Sequence, residues 1–264
     1  MQLGKKIRLG RIMDGHSERT LIVPMDHGVS EGAVRGLVNA RDAVGDMLAG
    51  GANAILMHKG LIRHCHSGHG DTGLIMHLSA STSLSPRGNT KVLVGSVEEA
   101  VRLGADGVSV HVNLGDPEEG AMLADMGRVA EACEKWGMPL LAMLYARGPQ
   151  IPDGCAPGVV AHCARVGAEL GADIVKVPYT GDADSFARVV AGCCVPVVIA
   201  GGPRTDTTRQ FLALADSALR AGCSGLSVGR NVFQHPHRLQ LMRARHGLVH
   251  RGLPLDEAVA LAEA

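Results

Sequence analysis

The sequence predicts a (β/α)8 barrel. Three observations carry this reading. The chain has 264 residues, close to the roughly 250 typical of one such barrel. A unit recurs in which a helical pattern ends in Gly-Ala, or a near variant, and a short apolar strand follows. Strand and helix patterns then alternate along the chain, which favours a barrel over an open doubly wound sheet at this length.

The recurring unit appears as Gly50-Gly51-Ala52-Asn53, Gly104-Ala105-Asp106, Gly171-Ala172-Asp173 and Gly222-Cys223-Ser224, each leading into an apolar run. Glycine at a helix C-terminus turns the chain back into the sheet. The runs are continuously apolar rather than alternating, as in parallel strands buried on both faces. In order, a basic helix over about 3–13 precedes the first strand. Eight strands are expected at about 21–26, 53–59, 74–79, 106–113, 139–145, 173–178, 196–201 and 225–230. Helices are expected at about 32–49, 97–104, 118–136, 157–171, 183–192 and 207–222, with a second basic helix at about 236–249. The apolar run 91–95 reads as an accessory strand in a long loop. No G-x-G-x-x-G follows the first strand, so an open dinucleotide-binding sheet lacks its fingerprint. No linker divides the chain, and residues 1–264 read as one domain.

Composition narrows the partners. Hydrophobic residues make up 46% but aromatics only 2%, so the core must be aliphatic. Lys plus Arg is 26 and Asp plus Glu is 26. There is no global field for nucleic acid, and too few aromatics for a stacking platform. A phosphorylated small molecule needs only local charge and stays open. The N-terminus carries no apolar run of the signal type, and no stretch approaches a membrane span of roughly 18 residues. The seven cysteines are scattered without a C-x-x-C, which fits reduced thiols in the cytoplasm. Adjacent Cys193 and Cys194 read as buried thiols near the seventh strand.

Barrel active sites lie at the C-terminal strand ends. There the first strand carries Asp26-His27-Gly28, the second His58-Lys59, the third His77, the fourth His111 and the fifth Tyr145-Ala146-Arg147. The sixth carries Lys176, the seventh ends Gly201-Gly202-Pro203 and the eighth Gly229-Arg230-Asn231. A lysine inside a barrel is desolvated, which frees its amine as a nucleophile toward a carbonyl. The protonated imine is an electron sink for making or breaking the neighbouring C–C bond. Asp26 and Tyr145 can move the protons this needs. Alternatives stand beside each reading. Lys176 could be a salt-bridge partner of Asp26, and Lys59 is a rival nucleophile. Asp26-His27 could cap the next helix, and Tyr145 could be a core residue with a satisfied hydroxyl. Gly201-Gly202 and Gly229-Arg230 fall where barrels commonly bind phosphate, with ordinary tight turns as the alternative. The crowded Arg63-His64-Cys65-His66-Ser67-Gly68-His69 admits a zinc reading, but such a loop is more often a solvated rim. No metal site and no cofactor are expected.

These residues carry a resemblance. The segments are Val23 to Ser30 (Val-Pro-Met-Asp-His-Gly-Val-Ser), Met57 to His64 (Met-His-Lys-Gly-Leu-Ile-Arg-His), Gly104 to Gly115, Gly171 to Lys176 (Gly-Ala-Asp-Ile-Val-Lys) and Val228 to His235. The chain resembles the archaeal-type class I fructose-bisphosphate aldolases of the deoxyribose-phosphate aldolase superfamily, and among them the branch of aminoheptulosonate synthases. The resemblance implies Lys176 as Schiff-base lysine, Tyr145 as proton donor and Asp26 as acid/base partner. It implies substrate contacts from Asp26, His27, Gly28, Val29 and Ser30, from Tyr145, Ala146 and Arg147, and from Lys176, Gly201, Gly202, Gly229 and Arg230. The implied reaction joins a phosphorylated three-carbon ketone unit to L-aspartate 4-semialdehyde. The unit would come from dihydroxyacetone phosphate or a deoxy-ketohexose phosphate. The product would be a 2-amino-heptulosonate on the way to 3-amino-4-hydroxybenzoate or dehydroquinate. Fructose-bisphosphate cleavage is the alternative within the family. Fructose aldolases of this type carry an aromatic where Met143 stands, and a proline where Ala146 stands. The His58-Lys59-Gly60 to Arg63-His64 segment matches the semialdehyde users better, with Lys59, Arg63 or a neighbouring His as a holder of the acceptor carboxylate. A homo-oligomer such as a decamer is also implied.

Overall fold

The computed structural model describes residues 1–65, 70–202 and 205–264. In chain order the elements are α1 (Leu3–Ile12), β1 (Thr20–Pro24), α2 (His27–Glu31), α3 (Ala40–Ala49), β2 (Ala54–Met57), α4 (Lys59–Cys65), β3 (Gly73–His77), β4 (Ser79–Ala80) and β5 (Val92–Leu93). They continue as α5 (Val97–Arg102), β6 (Gly107–Leu114), α6 (Glu119–Trp136), β7 (Leu140–Ala146), α7 (Pro157–Glu169), β8 (Ile174–Val177) and α8 (Ala183–Ala191). The last are β9 (Val197–Ala200), α9 (Thr208–Arg220), β10 (Gly225–Ser227), α10 (Arg230–Phe233), α11 (Arg238–Arg251) and α12 (Leu255–Glu263).

Eight parallel strands close in the order β1-β10-β9-β8-β7-β6-β3-β2, a (β/α)8 barrel with α1 before it. The aliphatic composition fills two cores. The outer one lies between the strands and the surrounding helices. The inner one is Ile22, Ala54, Leu56, Ile75, Leu141, Met143, Ile174 and Val198, with Ile12 of α1 closing its floor.

The polar residue that ends three of the four Gly-Ala units has a structural task. The side chains of Asn53, Asp106 and Asp173 accept hydrogen bonds from Leu21 N (2.6 Å), Leu74 N (2.9 Å) and Leu140 N (2.9 Å). Each bond satisfies a backbone donor near the start of the neighbouring strand, where an orphaned buried N–H would be costly. The same carboxylates hold α1 against the floor. Lys5 Nζ lies 3.2 Å from Asp173 and 3.0 Å from Glu134, and Arg11 pairs with Asp106 at 3.3 Å.

Three expectations need correction. The helix expected from residue 32 begins only at Ala40, because Gly32 and Gly36 take positive φ (81° and 86°) and Asn39 caps the new start through Asp42 N. Short helices α2 and α4 occupy segments read as strand ends and loop. Cys193 is half-buried and Cys194 exposed rather than buried, and all seven cysteines are free thiols. The 91–95 run does form an accessory strand: β5 pairs antiparallel with β4 outside the barrel. Among the described residues no helix is long and apolar enough to cross a membrane.

Candidate active site

A cavity of about 480 Å³ opens at the C-terminal ends of β7 to β10. That is ample for a small phosphorylated substrate. Its wall includes Tyr145, Ala146, Arg147, Lys176, Gly201, Gly202, Gly229 and Arg230, so residues far apart in sequence converge here. Gly28, Val29 and Ser30 do not line it. They lie on α2 at the rim, where the Ser30 hydroxyl donates to Ser81 O at 3.1 Å.

Lys176 is the third residue of β8 and only 6% exposed. Among the described residues its one side-chain contact of hydrogen-bonding type is Met143 Sδ, 3.9 Å from Nζ. Among the described residues it makes no ion pair, so the salt bridge to Asp26 does not form. Lys59 is elsewhere. It opens α4 and pairs with Glu99 at 3.0 Å, and Arg63 reaches the same carboxylate at 3.3 Å. The rival nucleophile is therefore paired with Glu99 and does not line the cavity.

Asp26 follows β1 at the head of α2, but its side chain makes no capping bond. It faces imidazoles instead: His27 Nδ1 and His77 Nε2 each lie 3.7 Å from one of its oxygens. Burial would raise its pKa. The field of His77, His27, Lys176 and His58 outweighs this and holds Asp26 below the ordinary carboxylate range. His77 is 3% exposed and shares a 2.7 Å hydrogen bond with Ser109 through Nδ1. Burial pushes it down to about 4, against the pull of Asp26. His58 packs edge-on against His77 at 5.1 Å and is also lowered by burial.

Tyr145, the sixth residue of β7, is half-buried. Its hydroxyl makes no hydrogen bond to a described residue, so it is not a satisfied core tyrosine. Its ring tilts against His111 at 5.0 Å, and the Arg147 guanidinium lies 4.5 Å over its face. His111 Nε2 donates to Asn113 Oδ1 at 2.9 Å, which fixes that ring. Burial, then Lys91, His77 and Arg147, keeps His111 well below its ordinary value and so neutral.

On the other side Gly229 requires its identity. A Cβ there would lie 2.5 Å from Pro24 O and 2.7 Å from the His27 ring. This close approach is not an ordinary turn. Arg230 pairs loosely with Glu31 at 3.5 Å. Asn231 ties the two glycine loops together, donating to Gly201 O at 3.0 Å and accepting from Thr205 N at 3.3 Å. Pro203, after Gly202, lies outside the described residues, as do His66 to His69 of the crowded histidine loop. Among the described residues no group of three His, Cys, Asp or Glu is arranged to hold a metal ion.

Several residues of this site were not singled out from sequence. His77, His58 and His111 were legible only as strand ends, and their convergence on Asp26 and Tyr145 needs the closed barrel. Ser227 is fully buried, lines the cavity and has no hydrogen-bond partner for its hydroxyl among the described residues. The only signal for it was one hydroxyl in the apolar run Leu226-Ser227-Val228.

Comparison with known proteins converges on one family. A profile of the DeoC/LacD family aldolases matches residues 20–235. The 2-amino-4,5-dihydroxy-6-oxo-7-(phosphonooxy)heptanoate synthase of Streptomyces griseus is 46% identical over 88% of this chain and 85% of its own. The 2-amino-3,7-dideoxy-D-threo-hept-6-ulosonate synthase 1 of Archaeoglobus fulgidus is 42% identical over 97% of this chain and 95% of its own. An archaeal fructose-1,6-bisphosphate aldolase, solved with its catalytic lysine bound to a carbinolamine intermediate, superposes with a TM-score of 0.85. It is 31% identical and covers 93% of this chain and 99% of its own. The chain belongs to the DeoC/LacD aldolase family and is an aldolase.

Proposed function

We propose that the enzyme joins dihydroxyacetone phosphate to L-aspartate 4-semialdehyde through an imine on Lys176. The observation that carries this is the buried Lys176, free of any carboxylate partner, in one cavity with Tyr145 and the Gly201-Gly202 and Gly229-Arg230 loops. The substrates follow from the chemistry of the Streptomyces griseus relative's named product. In a 6-oxo-4,5-dihydroxyheptanoate the bond an aldolase makes joins C4 to C5. Breaking it leaves a three-carbon ketone phosphate and a four-carbon 2-amino-4-oxo acid. A deoxy-ketohexose phosphate is the alternative donor; it would deliver an unphosphorylated hydroxyketone unit, since C7 of the Archaeoglobus fulgidus relative's 3,7-dideoxy product is a methyl group.

In this reading the Lys176 amine adds to the ketone carbonyl and water leaves. The resulting iminium loses a proton from the neighbouring carbon, and the enamine attacks the aldehyde. Water then returns the ketone and frees the lysine. Tyr145 donates and accepts the protons of the C–C bond step, and Asp26 serves as the second acid/base at the mouth. The glycine loops and Arg230 hold the phosphate through backbone N–H groups and charge.

Borohydride with dihydroxyacetone phosphate is expected to fix one adduct, located on Lys176 by peptide mass analysis. Addition of L-aspartate 4-semialdehyde is expected to give the seven-carbon amino acid. No adduct, with activity lost to a chelator, would overturn the imine. An adduct with product only from glyceraldehyde 3-phosphate would replace this reading by fructose-bisphosphate aldolase.

A further inference from the structure

The strands surround the cavity in a fixed circular order, and that order separates its ends. Gly201 and Gly202 follow β9, and Gly229 and Arg230 follow β10. On the closed ring β6 stands four places from β10 in either direction, and β3 four places from β9. The segment joining β3 to β6 carries the antiparallel β4–β5 ribbon, so the ribbon sits across the mouth from the glycine loops. Lys176 on β8 and Tyr145 on β7 lie between the two sides.

The ribbon is built onto the rim rather than hanging from it. Ser79 Oγ accepts from His111 N at 2.9 Å, and Asn113 Nδ2 donates to Asn89 O at 2.5 Å. On the α2 side Ser83 N donates to Ser30 O at 2.9 Å. These anchors place Lys91 at the head of β5, half-buried. Its ammonium donates to Ser81 Oγ and to Gly88 O (3.3 Å), both neutral acceptors. Arg147, stacked on Tyr145, is the cation on the adjoining strand end. Among the described residues neither Lys91 nor Arg147 makes an ion pair, whereas Lys59, Arg63 and Arg230 are all paired with carboxylates.

We infer that Lys91 and Arg147 form a second anion subsite, which takes the carboxylate of the acceptor aldehyde at the rim of the cavity, across from the glycine loops. The inference rests on the proposed function and names the residue that reads the acceptor. Lys91 is half-buried and Arg147 exposed; two like charges without a carboxylate between them repel, and an anion held by both relieves this. Burial first, then the Arg147 charge, lowers the Lys91 ammonium from its ordinary value, while Asp26 opposes both. A substrate that is anionic at both ends would then span the mouth, with its reacting carbonyl over β8. A glyceraldehyde phosphate offers the same kind of anion, so the experiment separates the two sources.

The test compares kcat/KM for three acceptors: L-aspartate 4-semialdehyde, glyceraldehyde 3-phosphate and an uncharged aldehyde such as propanal. In Lys91→Met the preference of the wild type for an anionic acceptor over propanal is expected to shrink about 10- to 100-fold. That is the usual weight of a charge-assisted hydrogen bond. The loss should appear in acceptor KM more than in kcat, and Lys91→Arg should restore most of it. Borohydride trapping of dihydroxyacetone phosphate by the folded variant checks that the donor side is intact. An unchanged preference in Lys91→Met, or an equal loss toward all three acceptors, overturns the subsite while the proposed function stands. If wild type uses only glyceraldehyde 3-phosphate and the variant loses that preference, the anion subsite holds and the proposed acceptor falls.

Discussion

Met143 and Lys176 are register partners across β7 and β8, and the thioether sulfur lies 3.9 Å from the lysine amine. The proposed nucleophile is thus lodged beside a soft, neutral side chain. Met143→Leu, which roughly conserves volume, should cost less than about 1.5 kcal/mol in stability and keep most activity. Met143→Glu should place a carboxylate there and favour the unreactive ammonium. Turnover at neutral pH is expected to fall at least about tenfold, with borohydride trapping slowed in parallel. Equal activity of both variants would show that the neighbour does not matter to the amine.

Tyr145 tests the division of labour in the site. Tyr145→Phe keeps the ring against His111 and under Arg147 but removes the free hydroxyl. The imine should still form and be trapped. Turnover should drop about 10²- to 10⁴-fold, the range for loss of a general acid/base. Loss of trapping in step with turnover would move the role of Tyr145 to imine formation itself.

The buried imidazoles set a pH limit on stability. His77 in the fold titrates at about 4, against 6.5 for an unburied histidine, so between these values the unfolded chain binds the extra proton. Its contribution is complete above 6.5 and is lost as pH falls toward 4, at up to about 1.4 kcal/mol per pH unit. His250, also held at about 4 by burial, acts in the same direction. Asp26 is held low and keeps its charge through this window. Urea unfolding at pH 7, 6 and 5 should show stability declining, and His77→Gln should flatten the decline. A variant with the wild-type slope would place the proton uptake elsewhere.

Arg245 on α11 is fully buried, and two of its guanidinium nitrogens have no hydrogen-bond partner among the described residues. The third lies 3.2 Å from Met242 Sδ, and the Phe211 ring centroid is 5.6 Å from the guanidinium. Burial lowers its pKa to about 9. An uncompensated buried cation is costly, so Arg245→Met should be neutral or stabilising, by up to about 4 kcal/mol on the scale seen when buried charges give way to apolar packing. A denaturation midpoint well below that of wild type would mean that the guanidinium contributes more through Phe211 than it loses in hydration.

The barrel was legible because its grammar is local. Gly104-Ala105-Asp106 and Gly171-Ala172-Asp173 announce a helix end and a strand start within a few residues. The task of their aspartates was not legible, since the amide each one binds lies about thirty residues away on a neighbouring strand. The break between α2 and α3 was hidden because apolar spacing continues through Gly32 and Gly36 while the backbone turns. At the site Lys176, Tyr145 and the glycine loops stood out as polar or permissive residues at the ends of apolar strands. The imidazoles around Asp26 did not, because a histidine at one strand end gains meaning only from the carboxylate beside it. Lys91 was invisible for a related reason: it belongs to a ribbon whose position no periodicity encodes.

Ile12 on α1 closes the inner core from below, and Lys5 and Arg11 fasten that helix to Asp173 and Asp106. The interior is therefore a cul-de-sac, entered and left by one door. On the proposed mechanism a ketone held by Lys176 would pass that door before the aldehyde, and the joined product would leave the same way. A single doorway would then set an order of binding on a reaction whose chemistry alone does not require one.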